Sequence, residues 1–453
     1  MKLPTAFPDI KDQNLKGLPC SSVLLIAVAL FTGYAYLNAI NLDRNGNVLL
    51  ALILGICLTR LLFLRDFSLN KDVIFFVCSF LIISWTSVLF PPSSYASFAW
   101  LKKASFLLLA GLGIVSTVFR LSKLEKAVLR TGIPLLCFLL AFLVILDAYG
   151  VVSKELFLWL TPLRVVNHLW NDKYFAFWLL FLMWGSVALL WRRDRRSTII
   201  SLLLICFSFW ALFLTTSESA QLAAVAGLLI FIMVHVPVGF GRYWLYLAVF
   251  SLMLLIPVAW IFLTPLYPES ADSLFYKFLK NTQAVDVRLR LYDFCAHTVR
   301  KELIHGHGFG STLLIPITPD VFPDWKNTLP GGHPHNLIFL FFLEHGLIGF
   351  LWLTTAFICF FDRVYSATRK RLEEPAIWAL ILSAHIVFSL SFAIWQSDVV
   401  LLYVMFFVLL RIILPENDYG REKSRNSAFL RSSLLILTLL GVSSYVSDYY
   451  LNL

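Results

Sequence analysis

Charge is scarce in this chain. Only 14% of its 453 residues are Asp, Glu, Lys or Arg, against about 25% in a soluble domain. Hydrophobic residues make up 59%, and the mean hydropathy is +0.79. That balance excludes an ordinary cytoplasmic enzyme, a disordered protein and a nucleic-acid-binding module. Paired cysteines are also lacking. The seven cysteines contain no CxxC pair and no disulfide framework. Cys57, Cys78, Cys137, Cys206 and Cys359 fall inside apolar runs, where they act as small hydrophobes. Internal repeats and low-complexity tracts are absent too. The segment Met1 to Gly17 is polar, and the apolar run after it has no small-residue cleavage site. It reads as a retained first span.

What the chain has in abundance is apolar runs of membrane length. A bilayer core of about 30 Å needs about 20 apolar residues per helix. Twelve runs qualify: 21–40, 47–64, 73–90, 104–119, 131–149, 174–191, 198–215, 219–237, 243–264, 336–361, 376–394 and 397–414. A thirteenth, 433–448, is weaker because Ser and Tyr crowd its C-terminal half. Each is expected to be helical, since an open strand edge has unsatisfied backbone in lipid. The expectation is an all-α polytopic membrane protein: nine spans in residues 1–264, a long loop in 265–335, and the remaining spans in 336–453.

The net charge of +10 then becomes a topology signal. With the N-terminus inside, 24 of the 37 lysines and arginines fall in the inside loops, as the positive-inside rule requires. The remainder is uneven. The outside loop from Pro265 to His335 holds seven basic residues, five of the nine histidines and the aromatics Phe275, Tyr276, Tyr292, Phe294 and Trp325. Loops this long are usually functional or disordered; this composition predicts a folded cap. A second outside loop, Gly150 to Lys173, is amphipathic and is expected to lie in the outer interface.

Chemistry is expected where this loop meets the tenth span, at Gly331-Gly332-His333-Pro334-His335-Asn336. Pro334 and the two glycines break any preceding helix, so His335 and Asn336 begin an incoming span at the outer face. A neutral imidazole there can take a proton from a hydroxyl, or it can be a plain interfacial residue. Asn336 can cap the helix or hold the imidazole. Upstream, Arg288 and Arg290 project from an apolar segment. Arginine forks suit a diphosphate, or they can face solvent or headgroups. The string His305-Gly306-His307-Gly308-Phe309-Gly310 is either a close backbone approach to a ligand or a plain turn. No carboxylate stands at metal-ligand spacing from its histidines. Glu218, between the seventh and eighth spans, either places a functional carboxylate at the outer face or belongs to a short polar turn capped by Ser217 or Ser219. Glu344 and His345, two to three turns below His335, either line a cavity or form a helix contact.

His335-Asn336, nine residues, Gly346, two residues and Gly349 resemble the H-[NSQ]-x9-G-x-x-[GTY] pattern of O-antigen ligases, members of the wider O-antigen ligase and polymerase superfamily. The twelve-span topology, the large loop before the motif helix and the string from Arg288 to Gly310 extend the likeness. The resemblance implies a GT-C-like glycosyltransferase of the inner membrane that uses no metal and no cofactor. Its implied donor is a glycan on undecaprenyl diphosphate, and its implied acceptor a hydroxyl of the lipid A core at the periplasmic face. It implies His335 as general base with inversion, and Arg288 as the diphosphate ligand. Relatives often carry Ser-Arg where this chain has Ser217-Glu218. Lys173 or Arg290 can substitute for that arginine, with Glu218, Asn336 and His333 as further substrate contacts. A polymerase or a protein oligosaccharyltransferase with the same donor fits the same residues. A lipid-linked glycan transporter fits less well, because transporters usually carry repeats and broken helices near the midplane.

Overall fold

The structure is a computed structural model. It describes residues 71–90, 97–98, 101, 104–105, 108, 123–151, 173–191, 194–234, 242–263, 283–315, 334–369, 371–391, 397–414, 433–440, 442–444 and 446. The expected spans 21–40 and 47–64, most of 104–119, most of the loop 150–173, and His333 lie outside the described residues. Among the described residues the regular structure is helical. The principal helices are α1 (Lys71–Leu89), α2 (Lys123–Ala148), α3 (Lys173–Leu190), α4 (Arg195–Leu214), α5 (Glu218–Met233) and α6 (Arg242–Leu263). They continue as α7 (Gln283–Lys301), α8 (Leu337–Thr368), α9 (Glu374–Ser391) and α10 (Ser397–Ile413). A shorter apolar helix, α11, covers Ser433–Ser444. Among the described residues, four stretches are long and apolar enough to cross a membrane: Ala127–Ala148, Arg195–Leu214, Tyr243–Leu263 and Leu337–Thr368. The chain divides into two compact units.

The first unit contains α2, α3, α4 and most of α10. Its centre is α3, in which residues from Phe175 to Leu189 are buried on every face. A helix that is apolar all round is an interior helix. Its neighbours α2 and α4 instead turn Leu135, Phe142, Leu203 and Phe213 outward, as expected of faces that meet lipid tails. Between them Cys137 Sγ lies 3.6 Å from Ser208 Oγ, a small polar contact of the kind that joins helices in lipid. Gly185 of α3 admits Leu409 of α10: a Cβ built there would stand 3.0 Å from Leu409 Cδ2. At the start of α4, Asp194 accepts the Ser197 amide at 2.8 Å and caps the helix.

The second unit contains α1, α5–α9 and α11. Lipid supplies little hydrophobic drive between helices, so close packing and hydrogen bonds must hold them. The α5–α9 pair shows how. Ser219, Ala223 and Gly227 form a small-residue stripe buried on α5, which packs on α9, where Ala376, Ala379 and Ser383 are also buried. The backbones approach closely enough for Ser383 Oγ to donate to the Ala223 carbonyl at 2.9 Å. On α8, Trp352 stacks on Phe76 and donates from Nε1 to Ser79 Oγ at 3.0 Å, joining α1. Leu434 of α11 shares a core with Trp352 and Cys359, deep along α8. Ser444 at its other end reaches His305, whose neighbour Ile304 bonds to Ile348. Thus Ser444 brings the far part of α11 to the segment that follows α7.

Candidate functional site

The site is built on α8. Asn336 is its N-cap: the side-chain oxygen accepts the amides of Ile338 at 2.9 Å and Phe339 at 3.1 Å. Asn336 is buried, so its oxygen serves the helix end. His335, directly before it, has φ +51° and is the one non-glycine residue with positive φ among those described. That left-handed conformation is uncommon outside glycine. Strained backbone of this kind tends to collect at functional sites. The side chain of His335 is half-buried, and the capped helix fixes its Cα.

The helix is not continuous. At Gly346 the backbone departs from helical geometry, with φ +61° and ψ −155°. The segment after α7 fills the break. Leu347 N donates to the Leu303 carbonyl at 2.8 Å, and Ile348 N to Ile304 at 3.2 Å. In return His307 N donates to Leu343 at 2.7 Å, and Gly308 N to Glu344 at 3.0 Å. The carbonyls and amides freed by the break are thus paired across the two segments. Gly306 and Gly346 meet face to face. A Cβ on Gly306 would stand 2.6 Å from Gly346 N, and one on Gly346 would overlap the Ile304 carbonyl. Gly349 makes room for His345, whose Cβ a Cβ there would strike. The glycines of the motif are therefore explained by close contacts, with backbone at Gly346 and with the His345 side chain at Gly349. His305-Gly306-His307-Gly308-Phe309-Gly310 is a wedge between helices rather than a plain turn.

Buried polar groups line this wedge. Thr312 Oγ1 donates to Glu344 Oε1 at 3.2 Å, and both residues are buried. His307 Nε2 donates to the Thr298 carbonyl at 3.1 Å. Burial holds the His307 imidazole below its ordinary value, against the opposing pull of that carbonyl. His345 packs near Phe80, Phe309 and Phe341, with ring centroids 5.9–6.0 Å away. Of the two alternatives for Glu344 and His345, the described contacts are those of a helix contact. His305 stands between two elements: its Nε2 lies 3.2 Å from Glu302 Oε2 and its Nδ1 3.3 Å from Ser444 Oγ. No sequence signal joins residues 305 and 444. Among the described residues no group of three or more His, Cys, Asp or Glu is placed to hold a metal ion.

Helix α7 completes the site. It lies against α6 and α8 instead of forming a separate layer. Its amphipathic pattern places Leu291, Cys295, Ala296 and Val299 inward. Trp260 Nε1 donates to Asp293 Oδ1 at 2.8 Å, and Arg300 Nε to the Ile261 carbonyl at 2.7 Å. Desolvation raises the Asp293 carboxyl, and the Trp260 bond and Arg300 partly offset this. Tyr292 stacks on Phe339 with centroids 5.0 Å apart, and further along the chain Leu303 pairs with Leu347. Both helices therefore run the same way. One turn back from Tyr292 brings position 288 of α7 to the end of the pair where position 335 stands. The side chains of Arg288 and Arg290 lie outside the described residues. Glu218 is exposed in the first turn of α5, where a carboxylate suits the helix dipole. Lys173 is exposed at the start of α3, in the first unit.

Residues 201–354 match the family model described as O-antigen ligase. The matched region runs from α4 into α8 and takes in α7, the wedge, His335 and both motif glycines. No curated protein matches the chain.

Proposed function

We propose that this chain, a member of the O-antigen ligase superfamily, transfers O-antigen glycan from undecaprenyl diphosphate to a hydroxyl of the lipid A core at the periplasmic face of the inner membrane. The observation that carries the reading is His335: a half-buried imidazole held in left-handed backbone, directly before a capped helix. In this reading His335 accepts the proton of the acceptor hydroxyl as its oxygen attacks the anomeric carbon. The bond from that carbon to the diphosphate oxygen breaks, the configuration inverts, and the diphosphate leaves. Arg288 binds the diphosphate and stabilises the charge that develops on it. Its position one turn before Tyr292, which stacks on Phe339, supports this role. Arg290, Lys173, Glu218, Asn336 and His333 are proposed to contact donor or acceptor. The reaction needs no metal in this scheme, because cationic side chains serve the leaving group. A lipid-linked donor arrives sideways from the bilayer, which is why the base stands at a helix start.

The lipopolysaccharide profile of a deletion strain tests the reading. Core without O-antigen, with lipid-linked polymer accumulating, is the expected result. Core carrying a single repeat would make the protein a polymerase, and an unchanged profile would remove the proposal. In the complemented strain, His335→Ala and His335→Gly should both abolish transfer while the protein stays in the membrane. The glycine variant should also melt higher, since left-handed backbone costs an L-residue roughly 1 kcal/mol. Transfer by either variant would end the assignment of the base.

A further inference from the structure

We infer that Glu344 is a positioning residue of this site: through Thr312 it clamps the wedge into the break of α8 and so holds α7 in register with His335. The inference rests on the proposed function and assigns a residue to which that reading gives no role. Glu344 stands about 10 Å along α8 from its first residue, and only 1% of it is exposed. An acidic side chain at such depth is costly to place and is expected to have a specific task. Its carboxyl accepts Thr312 Oγ1 at 3.2 Å, and its own carbonyl accepts Gly308 N at 3.0 Å. One residue thus grips the wedge at two points, four residues apart.

The wedge has little freedom elsewhere. Its opposite side is tied to α1, where Phe309 N donates to Ser87 Oγ at 3.1 Å, and to Ser97, whose amide donates to the Phe309 carbonyl at 2.9 Å. Gly306, Gly308 and Gly310 all have positive φ, so the segment lacks helical rigidity of its own and takes its shape from these partners. It follows α7 directly. A shift of the wedge is therefore transmitted to α7, and position 288 moves against position 335. A displacement of about 1 Å between reacting groups can cost orders of magnitude in rate. Loss of the clamp should accordingly lower kcat more than it raises KM.

The test uses the full-length protein in nanodiscs with lipid-linked donor and lipid A core acceptor, and rates are counted per folded molecule. Glu344→Ala and Thr312→Val should each lower kcat about tenfold or more with KM little changed. The double variant should lose less than the product of the two single effects, because both changes remove the Thr312–Glu344 bond. Glu344→Gln should restore most of kcat, since its amide oxygen still accepts Thr312. Amide hydrogen exchange supplies a readout that needs no turnover: Glu344→Ala should speed exchange at His307, Gly308 and along α7 and leave α3 unchanged. If Glu344→Ala does not fold, Thr312→Val, which removes only the hydroxyl, decides in the same way. Full kcat in Thr312→Val, a Gln variant as slow as the Ala variant, or unchanged exchange at His307 and Gly308 would overturn the inference. His335→Ala is assayed alongside. Activity there would sink the proposed base, whereas the exchange result judges the clamp by itself.

Discussion

The surroundings of α3 and those of α8 show two ways of building a buried helix. Around α3, burial is achieved with regular helices, mostly apolar side chains and small polar contacts such as Cys137 with Ser208; the close approach at Gly185 meets only the flexible end of Leu409. Around α8, the helix itself is broken, glycine faces glycine, and a carboxylate, a threonine and histidines are buried together. The first arrangement rests mainly on shape. The second needs paired backbone groups and particular φ values, because an unsatisfied amide in an apolar setting is costly. Irregular backbone at membrane depth is tolerated where protein covers it, and there it can aim residues that a straight helix cannot.

That contrast can be broken by experiment. The largest effect is expected from Gly346→Ala. Left-handed backbone costs a non-glycine residue about 1–3 kcal/mol, and the new Cβ also overlaps the Ile304 carbonyl. The variant should yield little folded protein, or melt many degrees lower in detergent. Parental melting would show that the break is not required.

An intermediate effect is expected from acidification. The folded value of His307 is lowered, so the folded state binds fewer protons than the unfolded one in the window between that value and about 6.5. Its contribution to stability is present above about pH 6.5 and is lost as pH falls through the folded value. Hydrogen-exchange protection of the wedge should fall across that window. His307→Gln, which keeps a donor for the Thr298 carbonyl, should flatten the dependence. A parental protein whose wedge protection is constant with pH would contradict this.

The smallest effect is expected from Gly185→Ala. Only the Leu409 side chain must give way, at a cost of about 1 kcal/mol, with transfer activity unchanged. A loss as severe as that of Gly346→Ala would erase the distinction between the two surroundings.

Much of this was legible in the residues. The apolar runs coincide with helices at 73–90, 131–149, 174–191 and 198–215, and again at 336–361, because run length and polarity decide helix formation in lipid. Asn336 as a cap could be read from its place after Pro334 and before an apolar run. The end of α8 could not: it continues past the expected 361 to Thr368, held by bonds such as Thr368 Oγ1 to the Val364 carbonyl. Nor could the break at Gly346. The run from Leu337 to Trp352 has the composition of one uninterrupted span, and a glycine inside it is compatible with a helix.

The sequence by itself determined that this is an integral membrane protein of helices, and it singled out Arg288, the glycine string and His335-Asn336. Composition and local order suffice for that, since each property belongs to residues close in the chain. The tertiary structure decided that the glycine string wedges into α8, that Glu344 answers Thr312, and that α11 returns to meet His305. These depend on groups from 32 to 139 positions apart, and hydrogen bonds between such distant segments leave no periodicity in the sequence to be read.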